Sequence, residues 1–147
     1  MTPTYWHMQM HPNEREYADK NAYYILEHKK IIGMGCWPEG EDTISVFVDK
    51  MEVNDIVAIK TGRQLVALVQ VIGGAYRVED DTSEFKWIKN RRPIRVLDWA
   101  LNEETLPHAQ GTLNRCVRDD KTTTKIIKDW HERVVESFKK RQLDIFV

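Results

Sequence analysis

Asp55-Ile-Val-Ala-Ile-Lys60-Thr-Gly-Arg-Gln64-Leu-Val-Ala-Leu-Val-Gln-Val-Ile72 is the stretch on which the fold turns. Two apolar runs, Asp55 to Lys60 and Gln64 to Ile72, flank the turn Thr61-Gly62-Arg63 and read as a β-hairpin. Both runs are nearly continuous in Val, Ile, Leu and Ala. That pattern belongs to strands covered on both faces or closed into a barrel. Gly73-Gly74 interrupts the second run, which predicts a bulge or sharp bend, with Tyr76 to Val78 continuing the strand.

Upstream of the hairpin, Val53-Asn54-Asp55 is a turn, and Ile44 to Val48 is an apolar run whose type periodicity leaves open. Before it lies the loop Pro38-Glu-Gly-Glu-Asp42. Ile31-Ile-Gly-Met-Gly-Cys-Trp37-Pro38 has a character of its own. Its two glycines permit unusual dihedrals and close approach. Pro38 restricts the residue before it, Trp37, to an extended conformation. An indole held this way outside a regular element can wall a flat pocket; the plainer reading is a core residue at a loop end. Thr4 to Met10 reads as a first strand ended by His11-Pro12. Asn13 and Glu16 start a helix running to about Lys30, with Ala18, Ala22, Ile25 and Leu26 on its buried face. Lys29 and Lys30 suit the negative end of its dipole.

Downstream, Glu79 to Asn90 is a charged connection that carries two large aromatics, Phe85 and Trp87. Arg91 to Leu101 returns to strand character, and Thr112 to Val117 is a weaker strand. Asp119 to Thr123 supply caps for a last helix, where Ile127, Trp130, Val134 and Phe138 form an amphipathic face. Gln142 to Val147 is a last strand or a frayed tail. Trp99 and Trp130 sit in apolar patterns and read as core. The expected architecture is α+β: a small mixed β-barrel of about five to six strands between an N-terminal and a C-terminal helix. No repeat or linker divides residues 1–147, which read as one domain.

Composition narrows the function. The chain has 147 residues, 41% apolar and 31% charged, with a net charge of −1. That balance disfavours strong nonspecific nucleic-acid binding, which rests on phosphate neutralisation. The charge is uneven, however. Lys86, Lys89, Arg91, Arg92 and Arg95 fall in one acid-free run, just after Glu79, Asp80, Asp81 and Glu84. These are a local basic face or two solvated loop faces of opposite sign. No run approaches the ~20 apolar residues of a membrane span. No secretory leader is visible, and Cys36 and Cys116 make neither a disulfide scaffold nor a standard zinc site. A reducing, cytoplasmic setting is the expectation. Both cysteines read as buried small hydrophobes. His7 and His11 lie four apart on a strand, about 13 Å, too far for one metal to bridge. No metal or cofactor is expected.

The order of these motifs resembles the EVE family of the PUA-like superfamily, which also contains the YTH readers. Tyr5-Trp6 through Pro12 is similar to the YW-x-x-K-x-x-P opening of EVE domains. Trp37 is similar to the tryptophan that follows their first helix. Met51 to Val57 resembles their M-K-x-G-D-x-V element, followed by the hairpin and the strand Ala67 to Tyr76. Leu113-Asn114-Arg115 lies near the position of their N-R-L-S element. Asn54 stands where the family has Gly, and Gln9 and His11 replace its opening lysine and acid. Gly33-Met-Gly-Cys-Trp37 and Arg91-Arg-Pro-Ile-Arg-Val-Leu97 look closer to EVE-like domains of McrB-type modification-dependent restriction subunits.

The resemblance implies a non-enzymatic reader of a modified, methylated base in DNA, flipped into an aromatic cage. Trp37 would be one wall and Trp87, with Phe85 as substitute, the other. Trp6, Gln9, Met10 and His11 would stand against the base edge, although Trp6 reads more readily as core and Gln9 equally as a surface amide. Lys89, Arg91, Arg92 and Arg115 are the phosphate-contact candidates. Implied partners are modified DNA and a nuclease or AAA+ GTPase module. Two alternatives stand beside this reading. One is an RNA-binding PUA-like module that reads modified RNA. The other is an enzyme on a small nucleotide, for which the sequence offers no phosphate loop, nucleophile–base pair or metal constellation.

Overall fold

The computed structural model describes residues 3–10, 22–100, 105–107, 112–118 and 121–147. Seven strands form one curled sheet: β1 (Tyr5–Gln9), β2 (Ile31–Met34), β3 (Ile56–Thr61), β4 (Gln64–Val71), β5 (Tyr76–Arg77), β6 (Asn90–Trp99) and β7 (Leu113–Arg115). Their order is β2-β6-β4-β3-β1-β7, and β5 also pairs with β6. Among the described residues, three helical segments flank the sheet: α1 (Ile25–Lys29), α2 (Glu41–Ser45, continuing as a wide turn over Val46–Lys50) and α3 (Thr122–Lys140). This is an α+β fold whose sheet curls into a half-barrel.

The hairpin expected from the sequence is β3 and β4, paired antiparallel around Gly62-Arg63. Nearly every residue in it is buried, because two cores claim its two faces. Val57 and Ile59 face Trp6, Met8, Leu26, Phe47 and Met51, under α1 and α2. Ile56 and Ala58 face Tyr5, Ile127, Trp130 and Val134, under α3. A side-chain period of two sends alternate residues into opposite cores. That is why both strands read as unbroken apolar runs. At Gly73-Gly74 the chain bends, and β4 and β5 lie along the same β6 strand in turn: Val71 pairs with Ile94 and Tyr76 with Arg91.

Some expectations change. The open run Ile44 to Val48 is helical, and the helix already begins at Glu41 inside the anticipated loop. Both α1 and α2 end in a wide i→i−5 turn, closed by Lys30 N–H to Ile25 O at 2.9 Å and Met51 N–H to Val46 O at 3.1 Å. Lys121, not an acid or threonine, occupies the N-cap of α3; Asp119 and Asp120 lie outside the described residues, as does the anticipated helix start near Asn13. Trp130 is core, but Trp99 is only partly covered and meets Tyr23 at a ring distance of 5.4 Å. Residues 142–147 form no strand. Asn54, where the motif resemblance anticipates a glycine, adopts φ 78°, the left-handed turn conformation that asparagine tolerates.

Asp55 ties the first strand to the hairpin. It is almost fully buried. Its carboxylate accepts Thr4 N–H at 3.1 Å, Trp6 Nε1–H at 2.9 Å and Glu52 N–H at 2.9 Å. Asp55→Asn presents an NH2 group to donors that need an acceptor. Its expected cost is about 2 kcal/mol in urea unfolding, since hydrogen bonds to a charged group contribute about 1.5–3 kcal/mol. An unchanged urea midpoint would contradict this role.

Two imidazoles make the fold acid-sensitive. Burial, with Lys60 as the lesser cause, lowers the His7 pKa to about 4. Burial also lowers that of His131, whose Nδ1 meets Tyr5 Oη at 2.8 Å. An unfolded histidine titrates near 6.5. Between these values the unfolded chain binds more protons. Stability is therefore complete above about pH 6.5 and declines as pH falls towards 4. Urea midpoints at pH 7.5, 5.5 and 4.5 should fall in that order, and His7→Gln should flatten the decline.

Candidate base-binding cleft

The cleft is built where the stretch after β2 meets the loop before β6. β2 pairs with β6 through Gly33↔Arg91 and Met34↔Asn90. Asn90 is buried and donates from Nδ2 to Met34 O at 3.4 Å and Gly35 O at 3.3 Å, which holds the chain as it leaves the sheet. The glycines act by close approach. A Cβ on Gly33 would lie 2.3 Å from Asn90 O, and one on Gly35 would lie 2.8 Å from Trp87 O. The only described glycine with positive φ is Gly62.

Trp37 then emerges half-buried, and Gly40 folds back beneath it. Gly40 N–H donates to Trp37 O at 3.0 Å, and a Cβ on Gly40 would reach indole carbons at 2.2–2.6 Å. Glycine at position 40 therefore sets the ring's seat. The sequence hinted at this only by placing a glycine three residues after Trp37.

The opposing loop is pinned as tightly. Asp81 accepts Ser83 N–H at 2.7 Å, Ser83 Oγ accepts Phe85 N–H at 3.1 Å, and Ile88 N–H donates to Phe85 O at 3.0 Å. Phe85 is the anchor of this loop: it is buried and stacked on Tyr24 at 5.4 Å. With Phe85 inside, Trp87 is left half-buried at the cleft.

The result is a cleft of about 390 Å³ lined by Gln9, Gly33, Met34, Gly35, Cys36, Trp37, Trp87, Lys89 and Thr112. That volume is in the range of small-molecule sites. Gln9 comes to the rim from the end of β1, beside Thr112, whose carbonyl accepts Gln9 N–H at 2.8 Å. A second, more open groove of about 630 Å³ lies against Trp37 as well, lined by Cys36, Glu41, Ile44, Val48, Asp49 and Arg77 among others. Another depression, of about 740 Å³, follows the charged outer face of α3 and offers no aromatic wall.

The structure thus brings four of the anticipated residues together: Gln9, Trp37, Trp87 and Lys89. Others go elsewhere. Trp6 is 1% exposed, with its indole N–H spent on Asp55, and Met10 is equally buried. Neither has a surface to give a base. His11 lies outside the described residues. Arg92 is buried and donates only to backbone carbonyls, so it cannot reach a phosphate. Arg91 is held by Asp81 at 2.5 Å and by Ile88 O at 2.7 Å. Arg115 is exposed, over the Trp6 ring at 5.9 Å, and about 10 Å along β7 from Thr112 at ordinary strand rise. Cys36 is exposed rather than buried, and Cys116 is half-buried with its thiol pKa raised by burial. Thr112, Gly40 and Arg77 were not anticipated; only the β1–β7 pairing, invisible in composition, brings Thr112 to Gln9. Among the described residues no cluster of His, Cys, Asp or Glu could hold a metal ion, and no helix is long and apolar enough to cross a membrane.

No protein-family model matches the chain, and no curated protein is similar in sequence. Solved structures match it in fold. A hypothetical protein from Leishmania major matches with a TM-score of 0.54 at 15% identity, over 94% of this chain and 98% of that one. A protein from Pseudomonas putida matches with a TM-score of 0.53 at 11% identity, over 86% of this chain and 97% of that one. At such identities the likeness is one of fold alone. Human THYN1, in complex with DNA containing 5-methylcytosine, aligns over 65% of this chain and 67% of that one at 9% identity. Its TM-score of 0.41 is too low to carry an assignment.

Proposed function

We propose that this chain is a non-enzymatic binding module that takes an everted, methylated base of DNA into the cleft between Trp37 and Trp87. One observation carries the reading: two half-buried indoles from separate elements line one cleft, with the Gln9 amide and the Lys89 ammonium beside them. A base that leaves the stack loses π-contacts, and aromatic walls restore about 1–3 kcal/mol per base. Gln9 offers both a donor and an acceptor to a base edge. A buried methyl adds about 0.8 kcal/mol, roughly a fourfold preference, so shape and hydrogen bonding must supply any larger discrimination. The motif resemblance supports the same reading.

The test is binding of methylated and unmodified duplexes of one sequence to wild type and Trp37→Ala, at one fixed salt concentration. Wild type should favour the methylated duplex and lose that preference on substitution. Equal binding in all four combinations would sink the proposal. Tight binding of methylated RNA alone would turn it towards an RNA reader. As a further part of the proposal, the module directs a nuclease or an AAA+ GTPase to modified DNA, as the likeness of residues 33–37 and 91–97 to McrB-type subunits suggests.

A further inference from the structure

Two of the acidic residues before the basic run, Asp81 and Glu79, pair with members of it, and they do so in two different ways. The pair Asp81–Arg91 is mostly enclosed, with side chains 19% and 13% exposed, and Arg91 is fixed further by the carbonyls of Ile88 and Phe85. That pair is part of the loop's architecture. Glu79 is different. One of its oxygens accepts Arg77 Nε–H and the other accepts Lys89 Nζ–H at 3.4 Å. All three side chains are 38–58% exposed. Ion pairs this open contribute at most about 1 kcal/mol each, so exchanging the carboxylate for another anion costs little.

The position of these two cations matters more than their number. Lys89 lines the cleft and Arg77 lines the neighbouring groove, and Trp37 is common to both. Backbone hydrogen bonding sets their spacing: β5 carries Arg77, and Val78 N–H donates to Lys89 O at 2.8 Å. An everted nucleotide leaves the duplex with a phosphate on each side of its sugar. The strand must therefore cross the mouth of the cleft past Trp37.

We propose that Arg77 and Lys89 form a subsite for a backbone phosphate, and that Glu79 occupies it in the free protein and is displaced on binding. The subsite rests on the reading that nucleic acid enters the cleft. Glu79 thus sets a threshold on affinity that does not depend on which base is read.

Glu79→Gln removes the competing anion and leaves both cations in place. The expected result is binding about two- to fivefold tighter, by the same factor for methylated and unmodified duplexes, from the release of exposed ion pairs. Arg77→Ala and Lys89→Ala should each weaken both duplexes and lower the slope of log affinity against log salt by about one. Glu84→Gln makes the same charge change in the same exposed loop and should leave affinity near wild type. The proposal is overturned if Glu79→Gln gives no gain while its melting curve is unchanged, or if Glu84→Gln gives an equal gain. A gain for Glu79→Gln without methyl preference in wild type would support the phosphate subsite and count against the reader. Methyl preference without any effect of Glu79→Gln would do the reverse.

Discussion

Arg92→Ala should cost about 3–5 kcal/mol of folding stability and lower the melting temperature by roughly 10 °C or more. Arg92 is 3% exposed and its guanidinium makes four hydrogen bonds. It donates to Phe47 O at 2.8 Å, Val48 O at 2.8 Å, Met51 O at 2.6 Å and Gly73 O at 3.1 Å. Three of these carbonyls belong to the wide turn that ends α2 and to the residue after it. Helix-end carbonyls without partners are costly when buried, and here one side chain satisfies them. The fourth carbonyl is at the Gly73 bend, so a single residue of β6 staples a helix end to the strand crossing. Alanine leaves all four unpaired. Arg92→Lys keeps the charge but cannot reach carbonyls spread over this arc, and should recover less than half of the loss. Thermal and urea unfolding of the three proteins decide the matter; an Arg92→Ala protein as stable as wild type would contradict the assignment. The consequence reaches the cleft, because α2 begins just after the turn that seats Trp37.

Replacing both Trp37 and Trp87 by alanine should weaken binding of a methylated duplex more than either single change does, by roughly tenfold to a thousandfold. Each single change should cost between about five- and 150-fold, the equivalent of 1–3 kcal/mol of stacking. The double change should cost less than the product of the singles, since both rings would serve one base and contacts that share a partner are not additive. Phe at either position keeps a π-face of smaller area and should retain part of the affinity. Fluorescence anisotropy with labelled duplexes at constant salt measures all of these. Two outcomes would be decisive against a two-walled pocket: strictly independent losses, or a Trp87→Ala protein that binds as wild type does. Both rings are half-buried rather than core, so neither change should destabilise the fold as Arg92→Ala does.

The hairpin and the C-terminal helix were legible in the chain because burial on fixed faces leaves a periodic trace. Ile127, Trp130 and Val134 recur at helical spacing and are buried; Val57 and Ile59 alternate with Ile56 and Ala58 into two cores. α2 was not legible. Its apolar run spans five residues and is helical from charged Glu41 to a wide turn, with only Phe47 buried. Trp37 stood out locally as a Trp-Pro pair after glycines and Trp87 as an aromatic in a charged loop, but only the motif resemblance suggested pairing them as walls. The basic run misled because charge counts carry no partners. Arg91 and Arg92 look alike in sequence, yet alternation on β6 sends one outward to Asp81 and the other inward to four carbonyls. Trp6 and Trp37 are likewise the same residue in different circumstances, and only the carboxylate of Asp55, 49 positions away, marks Trp6 as core.

The parallel pairing of β1 with β3 bears on how the chain reaches this state. β3 and β4 meet across a two-residue turn, so their contacts close at once. β1 must return to β3 across 51 positions, from Thr4 to Asp55, after α1, β2 and α2 have been traversed. Closing so long a loop is entropically costlier and later than closing a hairpin. By this measure the hairpin forms first and β1 docks on it later; β7, which pairs with β1 across the 109 positions from Trp6 to Arg115, joins later still. Trp6, which acquires its hydrogen bond to Asp55 as β1 docks, is a fluorescent reporter of that step.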